Sequence, residues 1–144
     1  MRFDPDFLEK LTEVFKKKNV GGCIFRIRTY DAKKTLHKLM YDYTNVMSSL
    51  MNKVGFAFTS GSCFVYRRSV FNKAGKFDPK MLTNEDHDLA KRASKISRFI
   101  IADNITIGTS SRRLQKIGLL KISKIYIKST FIYLFNGSYL RDYW

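Results

Sequence analysis

Cysteine, histidine, proline and acidic residues are all scarce in this sequence of 144 residues. Two cysteines cannot build a disulfide scaffold, and with only two histidines a Cys/His zinc site is not expected. No run of about 20 apolar residues occurs, so no membrane-spanning helix is predicted. The first ten residues, MRFDPDFLEK, lack the apolar stretch of a secretory signal. We therefore expect a cytoplasmic protein.

Positive charge is what the sequence has in excess. Lysine and arginine number 27 against 12 acidic residues, for a formal net charge of +15. A hydrophobic content of 44% argues against intrinsic disorder, and the length suits one domain, residues 1–144. So basic a chain is expected to meet anionic partners, which leaves nucleic acid, anionic lipid and phosphorylated substrates open.

Helical and extended patterns alternate along the chain. We predict helices and strands in the order helix 4–19, strand 20–27, helix 36–54, strand 56–66, helix 69–74, helix 85–95, strand 99–107 and helix 112–135. This alternation predicts an α/β domain with a mixed sheet flanked by helices. The final helix, 112–135, is predicted to be long, basic and amphipathic.

Several local features refine this prediction. Asp4 is expected to cap the first helix, with Pro5 at its first position. Gly21-Gly22 predicts a close backbone approach, and Asp103-Asn104 predicts a bend in the third strand. In the second helix the apolar positions recur at helical spacing and are expected to pack into the core: Leu36, Leu39, Met40, Tyr43, Met47, Leu50, Met51 and Val54.

Three acids crowd the predicted start of the helix 85–95. Thr83 or Asn84 can cap that helix, while Glu85 and Asp86 complement its dipole, which is a purely structural explanation. The functional alternative makes one carboxylate a general base, because a helix N-terminus keeps it ionised. The residues alone favour the structural explanation. We also expect Cys23 and Cys63 to be buried strand residues, and His37 and His87 to be structural or exposed.

Longer stretches resemble a known family. The chain is similar to the C-terminal half of the catalytic domain of family 2 glycosyltransferases, which have the GT-A fold. The likeness lies in Phe3–Leu11, Gly21–Arg28, Thr59–Asp78, Glu85–Arg92, Ser111–Gly118 and Tyr143-Trp144, in that order. Glu85–Arg92 resembles the helix that carries the catalytic base of that family, and Thr59–Asp78 resembles the acceptor-side strand and the loop after it.

The resemblance implies roles for particular residues. Asp86 would be the general base of an inverting sugar transfer, and Glu85 would orient Asp86 or the acceptor. Gly61 and Ser62 would line the acceptor pocket. The donor would be a nucleotide-sugar and the acceptor a glycan or a lipid-linked molecule.

Two arginines complete the set that the resemblance implies. Arg112 and Arg113 would face the diphosphate, although without the family a solvated helix start is the better explanation for them. The family's Asp-x-Asp holds a divalent cation, Mg²⁺ or Mn²⁺, in the complete enzyme. Asp4 and Asp6 have the same Asp-x-Asp pattern, but they align with the helix cap that follows the motif in the family. No metal ligand is therefore assigned in this chain.

The likeness begins just after the place of the Asp-x-Asp motif, so the donor-binding half is expected to be missing. We therefore expect this polypeptide alone to be inactive. Three explanations stay open: a separate chain supplies the donor half, the reading frame is cut or called from an internal start, or the chain is a degenerate remnant. The sheet edge left without its neighbouring strands predicts a homo-oligomer or a complex with that half.

Two non-catalytic alternatives stay open. The basic helix 112–135 has the composition of a helix lying on an anionic membrane, and this is compatible with a transferase on the inner membrane face. The net charge also permits nucleic-acid binding. That alternative is weaker, because the basic residues are spread along the chain instead of clustering with aromatics on one face.

Overall fold

The computed structural model describes residues 1–33, 35–53, 55, 57–59, 61–81 and 84–136. Thr83, Val54, Ser60, Tyr143 and Trp144, which entered the predictions above, lie outside the described residues. The described elements in chain order are α1 (Phe7–Lys16), β1 (Val20–Thr29), α2 (Thr35–Lys53), β2 (Phe64–Tyr66), α3 (Arg68–Lys73), α4 (Glu85–Ser94), β3 (Arg98–Thr109), α5 (Arg112–Ile117) and α6 (Leu119–Asn136).

A small mixed sheet with the strand order β2-β1-β3 lies at the centre of the fold. β1 pairs with β3 in parallel and with β2 in antiparallel register. The β1–β3 register shifts between Phe25 and Arg26, whose partners are Ala102 and Thr106. This irregularity contains the predicted Asp103-Asn104 bend. The protein is thus an α/β fold in which helices flank a three-stranded mixed sheet, as the sequence predicts.

The core forms where α1 packs against the two parallel strands. Its fully buried members come mainly from alternating positions of these strands: Val14, Val20, Cys23, Phe25, Ile27, Ala102, Ile105 and Ile107. Cys23 is buried, as expected, whereas Cys63 is half-buried. Gly21 confirms the predicted close approach, because a Cβ on it would lie 2.5 Å from the Ser97 Cβ.

Arg67 ties α1 to the sheet. Its guanidinium donates to three backbone oxygens, those of Phe15, Lys17 (3.2 Å) and Val20 (2.7 Å), and lies 5.3 Å from the Phe15 ring. The carbonyls at the end of α1 have no intrahelical donors, so this side chain supplies the donors that the helix terminus lacks.

Three boundary predictions are wrong. α1 begins at Phe7, and Asp6, not Asp4, stands at its N-cap position without a side-chain cap bond. The second strand is limited to Phe64–Tyr66. The predicted helix 112–135 divides at Gly118, whose φ of +88° ends α5 before α6 starts. A positive φ is incompatible with a continuing α-helix and is open to glycine at little cost.

α2 forms where predicted but packs through its other face. Of the residues expected in the core, Leu36, Leu39, Tyr43 and Leu50 are exposed, whereas Met40, Met47 and Met51 are half-buried. The buried residues of the helix are His37 and Ser48. Hydrophobic periodicity locates a helix, but it cannot show which face the neighbouring chain covers.

Candidate functional site

Asp86 lies in the first turn of α4 and is only 8% exposed. Leu89, Ala90 and Ala93 are buried on the same helix, and Leu89 and Ala93 pack with Val70 of α3 and with Ala74 directly after it. α4 also contacts β1 and β3. Asn84 occupies the N-cap position in the left-handed conformation, with φ at +58°, and makes no side-chain cap bond. Of the two predicted caps, Asn84 therefore makes no side-chain cap bond, and Thr83 lies outside the described residues.

Glu85 differs from Asp86 although the two are neighbours in sequence. Successive helix positions point about 100° apart, and Glu85 faces solvent while Asp86 faces the chain that leads into β2. Within the described part of the chain, the Glu85 carboxylate has no hydrogen bond or ion pair. It is close to Asp86 along the backbone only.

Thr59 holds the Asp86 carboxylate in place. The Thr59 hydroxyl, in a residue that is 1% exposed, donates to Asp86 Oδ2. The backbone N–H of Thr59 donates to His87 Nδ1 over 3.3 Å, and the His87 ring lies 4.7 Å from that of Phe58. One short segment of chain thus orients two consecutive side chains of α4. No other hydrogen bond to Asp86 is found among the described side chains.

Gly61 lies directly against the same carboxylate. A Cβ built on this glycine would be 3.2 Å from Asp86 Oδ2, and its φ of +66° is a conformation that favours glycine. Ser62 follows and is half-buried. The structure therefore places two of the predicted site residues, Gly61 and Asp86, side by side. We name Phe58, Thr59, Gly61, Asp86 and His87 the Asp86 cluster.

The Asp86 cluster lies toward the carboxyl end of β1. β2 runs antiparallel to β1, with Phe64 opposite Ile24, so the chain entering β2 comes from that end of β1. Thr59 and Gly61 belong to this entering segment. In sheets with parallel strands, ligands bind outside the carboxyl ends of the strands. The cluster therefore occupies the edge at which a ligand site is expected.

Arg112 and Arg113 begin α5, directly after β3. Arg112 is exposed and Arg113 is half-buried. The first turn of α5 is anchored by Asp31, which follows β1. Asp31 Oδ1 accepts hydrogen bonds from the Ser111 backbone N–H at 2.6 Å and the Ser111 hydroxyl at 2.9 Å, and Oδ2 accepts one from Ser110 at 2.5 Å.

Further contacts complete this second group of residues. Gln115 Nε2 donates to the backbone oxygen of Asp31 at 3.0 Å and to the Ser111 hydroxyl at 2.6 Å. The hydrogen bond from Ser110, followed by those from Ser111 and Thr29, holds the pKa of Asp31 well below its usual range. We name Asp31, Ser110, Ser111 and Gln115 the Asp31 cluster. The sequence analysis assigned no role to Asp31, although an acid directly after a strand is the signal that could have found it.

α2 connects the two clusters. Tyr41 donates to the Ser110 backbone oxygen at 3.3 Å, and Asn52 donates to the Phe58 backbone oxygen at 3.0 Å. Tyr41 and Asn52 are eleven positions apart, which corresponds to about 16 Å along a helix. The arginines of α5 and the Asp86 carboxylate therefore share one edge of the sheet but belong to two separate groups.

Among the described residues, Asp4 and Asp6 are not arranged to hold a divalent cation. Asp4 pairs with Arg28 at 3.4 Å, and Asp6 pairs with Lys10 at 2.7 Å, so each carboxylate already faces a cationic side chain. Across the portion of the chain that the structure describes, no three His, Cys, Asp or Glu side chains converge as ligands. No step proposed below uses a metal.

Comparisons with family models, with curated proteins and with solved structures find no match to this chain.

Proposed function

We propose that the chain is the acceptor and catalytic-base part of an inverting, family 2-like glycosyltransferase, with Asp86 as the general base. The observation that carries this proposal is the setting of Asp86. It is a nearly buried carboxylate, held by Thr59 and set against the bare backbone of Gly61, at the carboxyl edge of a parallel strand pair.

The two oxygens of Asp86 suit different tasks. Oδ2 accepts the Thr59 hydroxyl hydrogen, which fixes the orientation of the carboxylate. Oδ1 accepts the proton of an acceptor hydroxyl. The hydroxyl oxygen of the acceptor attacks the sugar C1 of a nucleotide-sugar at the same time. The nucleoside diphosphate then leaves from the opposite face, and the anomeric centre is inverted. Gly61 leaves room for the hydroxyl to approach, because it has no side chain.

The remaining predicted residues have supporting positions in this proposal. Ser62 lines the acceptor side next to Gly61. Glu85, exposed beside Asp86, contacts the acceptor. Arg112 and Arg113 bind the diphosphate of the nucleotide-sugar. For this contact the donor half must place the diphosphate beside the start of α5.

The test is transfer activity with the donor half supplied. The chain is assayed alone and together with the polypeptide encoded directly upstream of the Met1 codon, using nucleotide-sugars and a membrane extract as acceptor source. Nucleoside diphosphate release is the readout. We expect Asp86→Asn to lower release by about 10²-fold or more, because general-base catalysis contributes 10²–10⁴-fold.

Asp103→Asn is the matched control for this variant. Asp103 is an exposed acid paired with Arg26 at 2.8 Å, so the same chemical change there should leave activity intact. Both variants should fold, since an asparagine at position 86 can still accept the Thr59 hydrogen bond. The proposal is wrong if the chain releases no nucleoside diphosphate, alone or with the donor half. It is also wrong if the release persists in Asp86→Asn.

A second candidate function, compatible with the first, is attachment to an anionic membrane through α6. Exposed lysines and apolar side chains share one face of this helix: Leu120, Lys121, Lys124, Ile127 and Lys128. That mixture suits a helix lying in the headgroup region of anionic lipid. Among the described helices, none is both long and apolar enough to cross a bilayer.

Vesicle flotation tests the α6 proposal. The chain should float with vesicles containing phosphatidylserine and remain in solution with neutral ones. The double variant Lys124→Gln/Lys128→Gln should bind several-fold more weakly, since each basic residue near the surface contributes about 1 kcal/mol. Lys73→Gln/Lys80→Gln removes the same charge from other exposed sites and serves as control. An equal loss of vesicle binding in both double variants would show that net charge alone drives the binding. α6 would then not be the membrane-binding element.

A further inference from the structure

α2 contacts the sheet through polar side chains. Asn45 accepts a hydrogen bond from the Ile27 N–H at 2.9 Å and donates to the Ile27 oxygen at 2.8 Å. Tyr41 and Asn52 bond to backbone oxygens of other segments, and His37 is buried. These contacts satisfy the backbone of β1 beyond the end of β2. The polar side of α2 therefore faces the rest of the chain.

The opposite side of α2 is apolar and exposed. Five large side chains there are between 52% and 64% exposed: Leu36, Leu39, Tyr43, Val46 and Leu50. Their spacings are three, four, three and four residues. This is the heptad pattern of first and fourth positions, and it forms a narrow stripe along the helix. We name these five residues the α2 stripe.

The spacing and the charge of α2 point to one kind of partner. A strict heptad stripe matches another helix, whereas a helix lying on anionic lipid is flanked by several lysines or arginines. Between Leu36 and Asn52 the only charged residues are Lys38 and Asp42, which cancel. A chain of net charge +15 can approach its own copy only through such a neutral surface.

We propose that the α2 stripe is the seam of a homodimer, in which α2 of one copy packs against α2 of another. The same stripe on both copies supplies a self-complementary surface, as a two-fold interface requires. From Leu36 to Leu50 the seam runs about 21 Å. Interfaces of this limited extent are at the low end of stable complexes, so the dimer is weak and forms at high concentration.

Sedimentation equilibrium of the full chain tests the dimer. The wild type should shift from monomer to dimer as its concentration rises through the micromolar range or above. Leu39→Glu and Val46→Glu should each weaken dimerisation at least tenfold, because they place a charge in the seam. Lys38→Gln is the control, because it lowers the net charge by the same amount at a position next to Leu39 but outside the α2 stripe. This variant should dimerise like the wild type.

Folding and lipid controls decide between the outcomes. Leu39 is already half-exposed in the monomer, so Leu39→Glu should keep its helical circular dichroism, and Leu39→Ala provides a milder variant without new charge. A wild type that stays monomeric throughout, or stripe variants that dimerise as the wild type does, would overturn the proposal. A monomeric wild type that binds neutral vesicles through the stripe would also overturn it and assign the stripe to lipid.

Discussion

The Thr59 hydroxyl donates its hydrogen to Oδ2 of Asp86, across 27 positions of sequence. This contact joins the segment entering β2 to the first turn of α4. The other oxygen of the carboxylate, Oδ1, has no protein donor among the described residues. Asp86 is thus positioned by a neighbour that the chain brings to it from an earlier segment. A carboxylate serving only to complement the helix dipole would not need this buried hydroxyl.

Thr59→Val should destabilise the fold by about 1–3 kcal/mol, because it leaves a nearly buried carboxylate oxygen without its donor. The replacement keeps the shape of the side chain, so the loss reports the hydrogen bond. Thr59→Ser keeps the hydroxyl and should lose less. Urea unfolding of the three proteins measures both differences, and equal losses would show that the methyl group, not the hydroxyl, matters.

Gly61→Ala should cost more stability than Gly55→Ala. Both glycines have a positive φ, +66° and +81°, at which a Cβ costs about 1–2 kcal/mol. Only at position 61 does the new Cβ meet a neighbour, Asp86 Oδ2 at 3.2 Å, whereas nothing lies within 4 Å at position 55. Thermal unfolding of both variants isolates the contact with the carboxylate. A larger loss at position 55 would contradict this placement.

Arg67→Met should lower stability by about 2–4 kcal/mol, since it removes the charged donor from three backbone oxygens, two at the end of α1 and that of Val20 at the start of β1. Arg68→Met is the control, because Arg68 is exposed and has no partner among the described residues. That variant should stay within about 0.5 kcal/mol of the wild type. Chemical denaturation compares the pair, and similar losses would mean that Arg67 does not tie α1 to the sheet.

The stability contributed by Asp31 should depend on pH. Its pKa is lowered in the folded protein, so its stabilisation is present above the unfolded carboxyl value of about 3.9 and is lost as pH falls toward the folded value. Asp31→Asn should therefore be less stable than the wild type at neutral pH, and the difference should shrink in acid. Asp103→Asn, at an exposed pair, should show little difference at either pH. Denaturation at several pH values measures this, and a constant difference would contradict it.

The two cysteines should react at different rates. Burial raises the pKa of Cys23 to about 12, so its thiol stays protonated and covered. Burial also raises the pKa of Cys63, but this residue is only half-buried. Iodoacetamide, followed by mass spectrometry, should modify Cys63 first and Cys23 only under denaturing conditions. Faster modification of Cys23 in the native protein would contradict its place in the core.

Local signals predict most of the elements. The alternation of patterns locates α1, β1, α2, α3, α4 and β3 within a few residues of their observed bounds. The predictions fail where a glycine interrupts a helix or where another segment decides the outcome. Gly118 divides the predicted terminal helix, and the predicted strand 56–66 is reduced to β2, while Thr59 and Phe58 bond to α4 and α2.

The candidate site is predicted in part. The sequence likeness identifies Gly61 and Asp86, and the structure brings them into contact. Thr59 lies within the stretch that carries the likeness, but no local pattern shows that its hydroxyl reaches Asp86. Asp31 belongs to no motif, and its role depends on the meeting of the chain ends that follow β1 and β3.

By itself, the sequence determines the identity and order of the elements, because helix and strand periodicities and glycine positions act over a few residues. It also determines the net charge and the acids at the start of α4. Only the tertiary structure decides which face of α2 is buried. Asn45 satisfies the backbone of Ile27, and this long-range pairing turns the polar side inward and leaves the α2 stripe outside. A buried backbone group must find a partner, and which side chain provides it depends on segments far apart in the chain.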